Sequence, residues 1–413
     1  MRKHIGMGAA ILATAVLLAG CSGGGGGGTD ETDAAIDGEG QELTVWVDEN
    51  RKPAVEAAAA VFEEQTGATV TTVVKNFEDI RNDFIAQVPT GEGPDITIGA
   101  HDWLGALVAA GVVNTVDLGD KAGEFQEVAL QAMTYDGQLY ALPYSTETIA
   151  LIQNTDLVGD TAPATWDEMI QAGLDSGAER PFVINTNGQT GDGYTMYGFQ
   201  TSFDAPVFVQ DDTGSYTNEV GMGGPNGEAF ATWLGENGET GTGYISTTID
   251  YATNNELFAT GKAPFTVQGP WAIAELTAQG ANIAVNPIPS AGGSPAAPFV
   301  GVQGFYVSSQ SENTLLANEF LVNYMATYEA QKALYEADPR LPAWSELATE
   351  VSSDPIIAGF IASSENGVPM PSIPEMGSVW DYWNAAESQI IAGADPVSTW
   401  NTMIDDLTAA LAG

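Results

Sequence analysis

Residues 43–47, Leu-Thr-Val-Trp-Val, are a short apolar run that predicts a strand. After it, Val55, Ala58, Ala59 and Phe62 recur at i, i+3, i+4 and i+7, one apolar face of a helix. Pro53 opens that helix where a missing N–H costs least, and Gly67 ends it. The β-branched run 68–74 predicts a second strand. Phe77, Ile80, Phe84 and Val88 mark a second helical face, closed by Gly91-Glu92-Gly93-Pro94, and 95–98 is a third strand. Strand–helix–strand–helix–strand implies an α/β fold on a largely parallel sheet, with ligands at the carboxyl ends of its strands.

The pattern changes at 139–154. Two apolar runs, 139–143 and 149–152, flank the small polar Ser145-Thr146-Glu147 with no helix between them. A chain that leaves one sheet and enters another in this way predicts a crossing between two lobes. Further on, Thr165 and Glu168 have capping-box spacing before a helix. Residues 182–184 are a short strand, and 188–198 reads as a polar, Gly-rich loop carrying Tyr194 and Tyr197. Segments 229–233 and 255–260 are helical, and 263–267 and 283–288 are strands. The run 299–307 is a second crossing, 313–334 a long helix, and the tail from 379 is helical with breaks at Gly393 and Pro396.

At 413 residues the chain is long enough for two lobes. Its beginning is not part of the fold. Arg2, Lys3 and His4 precede an apolar run at 11–18, and Leu18-Ala19-Gly20-Cys21 ends it, the layout of a secretory signal too short to span a bilayer as a mature helix. This LAGC ending resembles a lipoprotein box, which makes residues 1–20 a signal peptide and Cys21, the only cysteine, the lipidation site. Six glycines at 23–28 and the acidic stretch after them form a tether over 21–41, a composition that stays solvated. The formal net charge is −44, from 11 Lys+Arg against 55 Asp+Glu. Such a balance excludes nucleic acid and adsorption to anionic lipid, where basic patches are needed, and it favours a neutral ligand.

Five stretches, in order, resemble extracellular sugar-binding proteins of ABC importers, of the maltose/maltodextrin-binding type. They are TGEGPDI…AHDWLG at 90–105, YALPYSTETIALIQN at 140–154, Gly261-Lys262-Ala263 leading to Gly269-Pro270-Trp271, PFVGVQG at 298–304, and MPSIPEMGSVWDYW at 370–383. The resemblance spans roughly residues 42–413. It implies a two-lobed periplasmic-binding-protein-like fold, each lobe an α/β sandwich, with a ligand cleft between them. The expected lobes are 42–145 with 302–328, and 146–301 with 329–413. The expected ligand is maltose or a short maltodextrin, delivered by a monomer to the permease subunits of an ABC importer. No cofactor and no metal are expected.

A neutral sugar has apolar C–H faces and a rim of hydroxyls, so its site needs flat rings and charged donors or acceptors. Residue by residue, the resemblance places Asp102, Glu147, Asp192 and Tyr194 in the cleft, with Trp271 and Trp380 as stacking rings. Arg51 stands where relatives carry lysine, and Trp103 where the best-known relative has arginine. Gly99 replaces a stacking tryptophan of that relative, so the aromatic surface is partly relocated. Trp46, Trp166 and Trp400 are read as core, and His101 as a structural group. A second class, a secreted glycoside hydrolase, would need paired carboxylates at defined spacing. With 55 acids the sequence leaves that open, although no defined pair stands out.

Overall fold

The computed structural model describes residues 38–211 and 216–412. Cys21 and the glycine run lie outside them. The opening elements follow the apolar pattern: strand Glu42–Val47, helix Lys52–Thr66, strand Thr69–Val74, helix Phe77–Gln87 and strand Ile96–Ala100. Gly67 closes the first helix at φ 74°, a left-handed position where glycine carries no Cβ penalty. The first two strands pair in parallel, and Glu42–Val47 also pairs in parallel with Ile96–Ala100.

Further strands complete this first sheet. Phe299–Ser308 runs antiparallel between Ile96–Ala100 and Ala141–Thr148, and the short Leu341–Pro342 adds to the outer edge of Ala141–Thr148. Ser145-Thr146-Glu147 is therefore part of a continuous strand and not a link between two. The second sheet has the order Ile283–Asn286, Ala150–Asn154, Phe265–Gln268, Val183–Ile184. The chain steps from one sheet to the other at Ile149.

Each sheet has its own core. Val45, Phe62, Phe84, Ile98, Leu142, Phe305 and Phe320 belong to the first. Trp166, Phe182, Phe199, Phe265, Trp383 and Trp400 belong to the second. Trp46, Trp166 and Trp400 are all buried. The capping box at Thr165 and Glu168 forms with both reciprocal bonds.

Three sequence expectations are corrected. The stretch 188–198 is not all loop: a helix, Gly193–Thr201, starts inside it with Asp192 as N-cap. The helix expected over 313–334 is interrupted by a π-helical turn, Phe320–Met325, and restarts at Tyr328 with Thr327 as N-cap. The first lobe also extends beyond residue 328. Ala330, Leu334, Ala343, Trp344 and Leu347 all pack in the first core, because strand Leu341–Pro342 ties this segment to the first sheet. The second lobe resumes on helix Pro355–Ser364, whose Ile356 and Phe360 pack against the second sheet. Val368–Pro369 then pairs with Phe299 and Val300.

Beside these crossing strands sits His101. Its Nδ1 accepts from the Val302 N–H at 3.0 Å and its Nε2 donates to the Met370 carbonyl at 2.9 Å. Val302 belongs to the first core and Met370 to the second, so the imidazole joins the two lobes at their junction. Burial lowers its pKa to about 4, which keeps it neutral.

Candidate functional site

The cleft-facing wall of the first lobe starts at the end of strand Ile96–Ala100. Asp102 lies two residues beyond it, 9 % exposed, with Oδ1 lacking a hydrogen-bond partner among the described residues. Burial pushes its carboxyl up to about 7, and Arg81 only partly offsets that. A buried acceptor without a partner is costly, so this atom is suited to a hydroxyl brought by a ligand. Trp103 does not join it. Its ring is 8 % exposed, tilted against Phe77 at 5.0 Å and packed beside Gly99. Trp103 is part of the first core, and Gly99 leaves room for its ring.

Behind this wall runs a chain of buried charges of alternating sign. Arg51, 3 % exposed, pairs with Asp48, donates from Nε to the Tyr144 hydroxyl at 2.9 Å and approaches Asp338 at 3.3 Å. Burial alone would lower its pKa, but Tyr144, Asp48 and Asp338 hold it above its ordinary value. Arg51 is thus largely engaged within the protein, through Asp48, Tyr144 and Asp338, although its buried Nη2 makes no hydrogen bond among the described residues. Asp338 also receives Arg340 at 2.9 Å, and Arg340 pairs in turn with Glu147. The other Glu147 oxygen accepts from Gln303 Nε2 at 2.8 Å. Glu147 therefore sits at the crossing as expected, but with both oxygens already bound. Sequence reading missed Arg340, Asp338, Gln303 and Tyr144. One signal was available: cations are so scarce in this chain that Arg340, in Asp338-Pro339-Arg340, stands out.

The second lobe supplies rings. Tyr194 lies 6.4 Å from Trp271 and 6.2 Å from Phe299, and Phe299 lies 6.4 Å from Trp380. Trp380 stacks on the buried Trp383 at 5.5 Å. Tyr194, Trp271 and Trp380 are only half-buried, and together they form an aromatic row. Phe299, fully buried in the second core, backs the row between Tyr194 and Trp380. Asp192 holds this row's helix and does not reach out of it. Its oxygens accept from the Thr195 N–H at 3.1 Å, the Thr195 hydroxyl at 2.6 Å and the Asn185 amide at 2.6 Å.

Rings on one lobe and buried polar groups on the other, across a crossing of strands, define a two-lobed binding protein for a small solute. The chain belongs to the family of bacterial extracellular solute-binding proteins, whose model matches residues 57–359. A maltotriose-binding protein of Pyrococcus abyssi is 30 % identical over 78 % of this chain and 71 % of its own. A maltooligosaccharide ABC transporter solute-binding lipoprotein of Streptococcus pneumoniae is 27 % identical, covering 92 % of this chain and 90 % of its own. Among solved structures, the maltotriose binding protein of Thermus thermophilus, bound with maltotriose, superposes with a TM-score of 0.80. It shares 29 % identity and covers 89 % of this chain and all of its own.

Proposed function

We propose that this chain is a lipid-anchored, extracytoplasmic binding protein that captures maltose or a short maltodextrin by closing its two lobes. It delivers the sugar, unhydrolysed and as a monomer, to the permease subunits of an ABC importer. The observation that carries this reading is the set of half-buried rings Tyr194, Trp271 and Trp380 on one lobe and, on the other, the buried Asp102 whose Oδ1 has no hydrogen-bond partner among the described residues. Flat rings suit the apolar faces of glucose units, and buried oxygens suit their hydroxyls. The names of the Pyrococcus, Streptococcus and Thermus relatives point to the same sugar class. The LAGC motif and the glycine tether support the anchor, as does the lipoprotein name of the streptococcal relative. Nothing in the site favours hydrolysis: Glu147 is tied by Arg340 and Gln303 and has no free oxygen for a nucleophile.

Calorimetry of the mature protein against maltose, maltotriose, trehalose, sucrose and xylo-oligosaccharides tests the ligand class. Maltotriose is expected to bind, to compact the protein in small-angle scattering and to be recovered intact. Binding of another sugar alone would keep the mechanism and discard the substrate. Release of glucose that stops in Glu147→Gln would move the protein to the hydrolases.

A further inference from the structure

We propose that Arg340 is a positioning residue that holds the two lobes together across the cleft, by laying its guanidinium over Trp271. Arg340 belongs to the first lobe, since the next two residues, Leu341 and Pro342, extend the first sheet. Trp271 belongs to the second, following strand Phe265–Gln268 of the second sheet. The guanidinium carbon lies 5.5 Å from the Trp271 ring centroid, within cation–π range.

The arginine is held there from behind. Its side chain is 7 % exposed and fixed by Glu147 and, at 2.9 Å, by Asp338. Asp338 is fixed in turn by Arg51, and Arg51 by Asp48 and Tyr144. Buried ion pairs of this kind add little net stability over a well-packed apolar replacement. What they do supply is direction. Here four charges orient one planar cation, and its face meets a ring of the opposite lobe. Trp271 in turn neighbours Tyr194, so the contact couples the charged floor to the aromatic row that faces the sugar. A contact formed only when the lobes are together shifts the equilibrium towards closure, and so acts on ligand release more than on capture.

The test compares wild type with Arg340→Met, Arg340→Lys, Trp271→Leu and the Met/Leu double variant. Stopped-flow tryptophan fluorescence gives maltotriose association and dissociation rates, and small-angle scattering gives the compactness of the unliganded proteins. Arg340→Met is expected to raise the dissociation rate about three- to thirtyfold and to change association less than twofold. Arg340→Lys, which keeps a charge but loses the planar face, should fall between. Trp271→Leu, which also removes a ring of the aromatic row, is expected to raise the dissociation rate at least as much as Arg340→Met, and the double variant little more than Trp271→Leu alone. The unliganded Met variant should be more extended than wild type. Because this contact joins protein to protein, the scattering arm does not depend on the maltodextrin reading. Failure of maltotriose to bind wild type would overturn that reading and leave the scattering result to decide this one. An unchanged dissociation rate, strictly additive effects of the two substitutions, or an unliganded Met variant as compact as wild type would each overturn the proposal. Should Arg340→Met fail to fold, Arg340→Lys and Trp271→Leu carry the same comparison.

Discussion

Asp102 and His101 are adjacent, both buried, and titrate with opposite effects on stability. In the folded protein the Asp102 carboxyl keeps its proton up to about pH 7, whereas in an unfolded chain it loses it near 3.8. Between those values the native state binds the extra proton, so stability falls as pH rises. A displacement from 3.8 to about 7 corresponds to about 4 kcal/mol, at about 1.4 kcal/mol per pH unit. His101 does the reverse. It stays neutral in the native state down to about pH 4, while the unfolded chain takes up its proton near 6.5. Stability therefore rises with pH across that window, by about 3 kcal/mol.

In wild type these two slopes nearly cancel between pH 4 and 6.5, and single variants separate them. Asp102→Asn removes one titration and leaves the other. Urea unfolding followed by fluorescence, at pH values from 4 to 8, gives the stability of each protein. The difference between Asp102→Asn and wild type is expected to grow by about 3 kcal/mol, in favour of the variant, as pH rises from 4 to 7. The difference for His101→Gln should move the other way, by about 3 kcal/mol up to pH 6.5. Other titrating groups drop out of each difference. A flat difference curve for Asp102→Asn would refute the claim that this carboxyl is buried without adequate compensation. The same variant should also weaken sugar binding above pH 7, where the wild-type group is ionised and a better acceptor than an amide oxygen.

Further outcomes follow from other residues. Trp380→Ala removes a half-buried ring stacked on Trp383 and should weaken maltotriose binding roughly five- to a hundredfold, measured by calorimetry. Glu387 is fully buried, and burial raises its pKa well above the ordinary value, only partly offset by the neighbouring Trp383 indole. Replacing it by Met, of similar length and apolar, should raise the thermal midpoint, more at pH 8 than at pH 5; a lower midpoint at both would show that the acid has a partner. Cys21→Ser should release the protein from the membrane fraction into the soluble one, checked by fractionation and blotting. Retention of the variant without lipid would reject the anchor.

The sequence by itself determined the opening elements, the crossing at 139–154, the capping box at Thr165 and the division into two lobes. These rest on periodicity, turn residues and caps, which act over a few neighbours and are written locally. The motifs also marked Trp271 and Trp380, and the structure leaves both rings half-buried. The tertiary structure alone decided which of the polar candidates are free. Arg51 and Asp192 carry the right chemistry for a sugar, but partners distant in sequence, Tyr144, Asp338 and Asn185, already occupy them. Trp103 went to the core because Phe77 and Gly99 frame it. Arg340 reached Glu147 and Trp271 because a two-residue strand joined the edge of the first sheet and carried it there. A side chain's chemistry is local, but its availability depends on what the fold places against it.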